Sequence, residues 1–230
     1  MPQVFHRSFN AIGRVVVFGT ALLVAGSGSA LSLYYRSYYV TGAHVAYTQP
    51  VPFSHQHHIG MLGIDCRYCH TSVETSAFAG IPPTKVCMNC HQQIWVGSPL
   101  LAPVRDSYRT GESIPWQRVH RLPGFVFFNH SIHVSKGVGC AECHGRVDEM
   151  PLTWQTHSLL MDWCVECHRH PEDHLRPAEQ VFSMTWQPED ETDPDTGAPY
   201  HGRRALGQRL AREYEVRDGF ALTSCSICHR

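Results

Sequence analysis

The sequence predicts one N-terminal transmembrane helix followed by a helix-and-coil domain with little or no strand. Three observations carry this expectation. All ten cysteines fall into five C-x-x-C-H units. Residues 15–35 carry no charge. The chain holds 15 Pro and 18 Gly, with no long alternating apolar pattern of the kind a strand needs. At 230 residues it has room for one or two domains and excludes a large multidomain enzyme. A net charge of -1 leaves no basic excess to neutralise phosphates, which argues against nucleic acid as a partner.

The membrane segment is the first element. Val15 to Tyr35 is long enough to cross a bilayer core as a helix. Tyr34, Tyr35, Tyr38 and Tyr39 fit an interfacial aromatic belt. Arg7 and Arg14 precede the stretch, which places the N-terminus in the cytoplasm and the rest on the periplasmic side of the inner membrane. The competing reading is a cleaved signal with Gly28-Ser29-Ala30 as its small-residue site. The expectation is an uncleaved anchor over residues 1–40, with a second domain over 41–230.

The cysteine units come next. They are Cys66/Cys69/His70, Cys87/Cys90/His91, Cys140/Cys143/His144, Cys164/Cys167/His168 and Cys225/Cys228/His229. An even cysteine count admits disulfides, and C-x-x-C pairs admit zinc or iron–sulfur sites. None of these requires His directly after the second Cys. C-x-x-C-H is the attachment unit of c-type haem. Two thiols bond the porphyrin, and the adjacent imidazole reaches the iron. The expectation is a multihaem cytochrome c with five covalently bound haem c. The haems would form the core, and each unit would lie on a short helical turn. No nucleophile–base signature points to independent catalysis.

The units are unevenly spaced. Cys66 and Cys87 lie close in sequence, as do Cys140 and Cys164, while the other gaps are more than twice as long. Phe53-x-His55-x-x-His58 precedes the first pair, and Phe128-x-His130-x-x-His133 precedes the second. This reads as an internal duplication, with units at about 53–91 and 128–168 and a fifth haem at 225–229. Residues 92–127 and 171–222 read as linkers. The second has an acidic run from Glu189 to Asp195, then a basic stretch, Arg203 to Glu215, that could form a helix with Leu206 and Leu210 inward. It reads as a docking surface or, more plainly, as solvated loop and helix.

A second axial ligand is usually His or Met. The candidates are His55, His58, His130 and His133, with Met161 or His120 for the fifth iron. The F-x-H-x-x-H arrangement resembles class III multihaem cytochromes. That resemblance implies that His55 serves the haem at Cys66/Cys69 and His130 the haem at Cys140/Cys143. It gives His58 and His133 to neighbouring haems.

Taken whole, FSHQHHIGMLGIDCRYCH, PPTKVCMNCH, VHRLPGFVFFNHSIHVSKGVGCAECHG, LLMDWCVECHR and LTSCSICHR resemble the membrane-anchored pentahaem cytochrome subunit of alternative complex III. The resemblance covers roughly residues 5–180 and the C-terminus. It implies an electron-transfer relay in a quinol:electron-acceptor oxidoreductase. The implied partners are a large iron–sulfur subunit, polytopic membrane quinol-binding subunits, a monohaem cytochrome and a periplasmic acceptor. Three rivals share the haem motifs. They are a free-standing quinol dehydrogenase feeding a periplasmic reductase, a nitrite or hydroxylamine reductase, and a passive storage cytochrome.

Overall fold

A computed structural model of the chain describes residues 4–229. Its longest element is α1 (Phe9–Arg36), an apolar helix of 28 residues with none buried. At helical rise it spans about 42 Å, more than a bilayer core of about 30 Å. Its length and composition suffice to cross a membrane. The helix stops at Ser37, whose backbone N–H and hydroxyl both donate to the Tyr34 carbonyl. A single turn, α2 (Tyr38–Thr41), follows and closes on Gly42 at φ 70°, a left-handed conformation that glycine takes without strain.

The C-terminal end of α1 and the turn after it are tied to residues 154–162. Ala43 and Ala46 make isolated bridges to Gln155 and Trp154. The buried Gln155 amide donates to the carbonyls of Thr41 at 3.2 Å and His157 at 2.7 Å. Arg36 pairs with Asp162 at 2.8 Å.

The remainder is short helix and coil. A π-helical segment, Gln56–Met61, precedes α3 (Cys66–Cys69) and α4 (Thr84–His91). Then come α5 (Ala102–Thr110), α6 (His130–Ser135), α7 (Cys140–His144) and α8 (Met161–Arg169). The chain ends with α9 (Arg203–Glu213), α10 (Gly219–Leu222) and α11 (Cys225–Cys228). Among the described residues there is no named strand, only isolated bridges. The helix-and-coil expectation therefore holds, and every C-x-x-C-H unit begins on a helical turn.

Apolar packing is local. Val51, Leu101 and Val104 form a small cluster against Cys87 and Met88. The cluster reaches only the middle of α4. Cys90, one turn further on, lies beyond it and is exposed. Cys225 is exposed as well. The other eight thiols are half-buried.

The larger cluster is Leu175, Trp186, Tyr200, Leu206 and Leu210. It lies within residues 171–222, the segment that reads as a linker. The acidic run and the prolines hide it, because its apolar residues are too sparse to show a period. The helix expected over the basic stretch forms as α9, with Leu206 and Leu210 buried as anticipated.

This module is joined to α7 through Glu142. That carboxylate accepts from Arg176 at 2.7 Å, from Arg203, and meets His174 Nδ1 at 3.3 Å. Arg176 is 2% exposed, stacks over Trp186 and donates to the Ser183 carbonyl at 2.9 Å. Burial pushes the Glu142 carboxyl up, but His174, Arg203 and Arg176 outweigh it and hold it down at about 2.

Candidate functional site

None of the ten cysteines is in a disulfide. Each C-x-x-C places two thiols on adjacent turns of a short helix, with the following His at or just past the helix end. In the second unit Cys87 packs inward, while Cys90 is open to solvent beside His91 at the end of α4. The Cys90 carbonyl accepts from the Gln93 and Ile94 N–H groups at 2.9 Å, so its backbone is held although its thiol is not enclosed.

The motif histidines meet partners from the F-x-H-x-x-H segments. The rings of His55 and His70 lie 6.4 Å apart and nearly parallel, at 10°. His130 and His144 repeat this at 6.3 Å and 12°. His58 faces His91 at 6.2 Å and 64°, and His133 faces His168 at 6.1 Å and 33°.

These spacings have a chemical meaning. A metal–imidazole bond is about 2 Å. Two such bonds in line, plus half a ring on each side, put ring centroids about 6 Å apart. The four pairs have the centroid spacing at which two imidazoles could share one metal ion.

The rings are also turned the right way. His58 and His133 each donate from Nδ1 to the carbonyl four residues back, Ser54 at 2.8 Å and Asn129 at 2.7 Å. His130 uses Nδ1 on the Ala77 carbonyl at 2.9 Å, His70 on Gly80 at 2.7 Å and His168 on Leu222 at 3.0 Å. His55 bonds the Thr153 hydroxyl through Nδ1 at 2.7 Å. With Nδ1 occupied, Nε2 is left to face a metal.

Phe53 fixes the first segment, stacking on His58 at 4.4 Å and meeting His55 edge-on at 4.9 Å. Phe128 repeats both contacts, with His133 at 4.6 Å and His130 at 4.7 Å. Burial, reinforced by neighbouring imidazoles, lowers His144 to about 3 and His55 to about 4. Both are neutral at physiological pH, the form that binds a metal.

The fifth unit differs. His229 bonds the Phe125 carbonyl through Nδ1 at 3.2 Å, and its ring packs against Phe125 at 5.8 Å. His120 lies edge-on to His144 at 4.4 Å, and its Nε2 is buried without a hydrogen-bond partner. Met161 opens α8 and is 71% exposed, three residues before Cys164.

The hydrogen bonds that hold His55 to Thr153 and His130 to the Ala77 carbonyl have no sequence signal, because the partners lie 98 and 53 residues apart. Only the F-x-H-x-x-H spacing could point to the rings they hold.

No family model matches the chain. Over 140 residues it is 35% identical to the menaquinone reductase multihaem cytochrome c subunit of Nitratidesulfovibrio vulgaris. That alignment covers 60% of this chain and 65% of the relative's length. The chain thus matches less than two thirds of that relative's length, and its helix-and-coil architecture with an apolar N-terminal helix is compatible with the fold of a multihaem cytochrome c.

Proposed function

We propose that the chain is the electron-transfer subunit of a membrane quinone oxidoreductase complex, carrying five covalent haem c groups on the periplasmic side of a single-pass anchor. The supporting observation is the set of four imidazole pairs, each joining one C-x-x-C-H histidine to one F-x-H-x-x-H histidine at the spacing a shared metal requires. Bound haem supplies one-electron redox chemistry at each site. The residues do the rest. The Cys pairs anchor the porphyrins at Cys66/Cys69, Cys87/Cys90, Cys140/Cys143, Cys164/Cys167 and Cys225/Cys228.

His70, His91, His144 and His168 would hold the iron from their C-x-x-C-H units, with His55, His58, His130 and His133 as the respective second ligands. His229 is proximal at the fifth site. Met161 is the better candidate for its second ligand. It shares α8 with Cys164, whose thiol is raised by burial and by the nearby Cys228 of the fifth unit. His120 is instead packed against the third site.

The motif resemblance favours alternative complex III, with quinol oxidised in a polytopic partner and electrons leaving outward. The iron–sulfur subunit, monohaem cytochrome and periplasmic acceptor are the remaining partners of that reading. The name of the relative favours a second reading, in which electrons run through such a subunit towards menaquinone. One experiment separates them. The particle is isolated in mild detergent, its polypeptides are identified by mass, and its haem reduction is followed with menaquinol and, separately, its reoxidation with menaquinone. Co-purifying polytopic subunits with rapid menaquinol reduction support the first reading. Rapid reoxidation by menaquinone without menaquinol reduction supports the second. A chain that purifies alone and exchanges electrons with neither overturns both.

A further inference from the structure

The two F-x-H-x-x-H units exchange matching contacts. Gln56, the residue after His55, donates its backbone N–H to the carbonyl of Met150 at 3.0 Å. Ser131, the residue after His130, donates to the carbonyl of Ser76 at 3.1 Å. Met150 lies six residues after His144, and Ser76 six residues after His70. The contacts are therefore reciprocal. Each unit's loop after its first C-x-x-C-H holds the other unit's first F-x-H-x-x-H histidine. The side chains agree, since His55 is oriented by Thr153 and His130 by Ala77. This is the contact pattern of a twofold interface, in which i meets j and j meets i, built here within one chain.

The thiols extend the series. Cys66 of the first unit lies close enough to Cys140 of the third for the two thiols to influence one another. Asn89 of the second donates to the Tyr68 hydroxyl of the first at 2.9 Å. The third and fourth sites meet at α6, whose His130 faces His144 and whose His133 faces His168, and His168 in turn bonds the carbonyl of Leu222, three residues before Cys225 of the fifth.

We infer that the haem sites stand in the spatial order second, first, third, fourth, fifth, with a pseudo-twofold axis between the first and third. This rests on the reading that the units hold haem. The order departs from the sequence. The second site is an end of the series, not a bridge to the third. The exposed thiols agree, since Cys90 and Cys225 belong to the two end sites. The fourth lies on α8, the helix to which the anchor is tied through Arg36 and Asp162. The second site is thus the end three steps removed from the anchor.

The test uses the full haem-loaded chain in detergent, titrated spectroelectrochemically. His55→Met, His58→Met and His130→Met are made singly and in pairs, since a Met ligand raises the potential of its own site. Coulomb coupling falls with distance, so adjacent sites shift one another. The expected result is a non-additive shift for His55→Met with His130→Met and an additive one for His58→Met with His130→Met. The reverse pattern is that of sequence order and overturns the inference.

Should an axial variant fail to load haem, Thr153→Val gives a second reading through low-spin electron paramagnetic resonance. A change confined to the first site supports cross-unit orientation, and no change, or a change at the third, overturns it. A chain with this coupling pattern that exchanges no electrons with menaquinol or menaquinone sinks the functional reading alone. Quinone-linked turnover with second–third coupling sinks the order alone.

Discussion

Glu142→Gln removes one charge and little volume from the junction between α7 and the 171–213 module. Arg176 is then buried at 2% exposure beside a neutral amide. The carboxyl is held at about 2 against a usual 4.5. At about 1.4 kcal/mol per pK unit this is worth roughly 3 kcal/mol of folding free energy. Breaking one partner out of a buried pair gives about 3–5 kcal/mol by an independent route. For a domain of this size each kcal/mol moves Tm by about 2–4 °C, so the variant should melt about 6–12 °C lower at neutral pH.

The pH dependence has a fixed sign. A carboxyl depressed in the folded state contributes fully above its unfolded pKa and loses that contribution as pH falls through the folded one. The gap between wild type and variant should be flat from pH 8 to 5 and close between about 4.5 and 2. Far-UV circular dichroism melts of the haem-loaded chain across pH make the measurement. A loss under about 1 °C at neutral pH, or a gap unchanged at pH 2, would show that the Glu142 carboxylate does not hold this junction.

Three further outcomes follow from the same geometry. Near-parallel imidazoles at the first and third sites should give rhombic low-spin electron paramagnetic resonance signals, and the 64° pair His58/His91 a strongly anisotropic one. Four indistinguishable signals would contradict the ring geometry. Met161→Leu should lower the potential of one site and abolish its sulfur-to-iron absorption band, while His120→Leu preserves that band. The opposite pair of results would move the fifth ligand to His120. Arg36→Gln should change stability by less than about 1 kcal/mol, because both partners of the Arg36–Asp162 pair are more than half exposed. A thermal shift comparable to that of Glu142→Gln would show that the pair is buried in the native assembly.

Much of the site is legible in the sequence because its chemistry is local. C-x-x-C-H fixes thiols and imidazole within two helical turns, and F-x-H-x-x-H fixes two imidazoles around one phenyl ring. The apolar run of α1 is legible for the same reason, since composition over a single helix decides it. What the sequence conceals is long-range. Nothing near His55 announces Thr153, and nothing near His130 announces Ala77. The motif is identical around Cys90 and Cys143, yet one thiol is exposed and the other half-buried, because distant segments decide what covers each. The Leu175–Trp186–Leu210 core is hidden because its members lie in coil as well as in α9, so no single period links them. Arg176 looks like a surface cation until Glu142 and Trp186 are seen to enclose it.

The proposed function requires every C-x-x-C-H unit to carry haem. The most direct measurement is the intact mass of the chain purified from membranes in which it is produced with its attachment machinery. The expected mass is that of the polypeptide plus five haems, with no thiol left to alkylate, the exposed Cys90 and Cys225 included. A mass with fewer haems, and cysteines that react with an alkylating reagent, would contradict it.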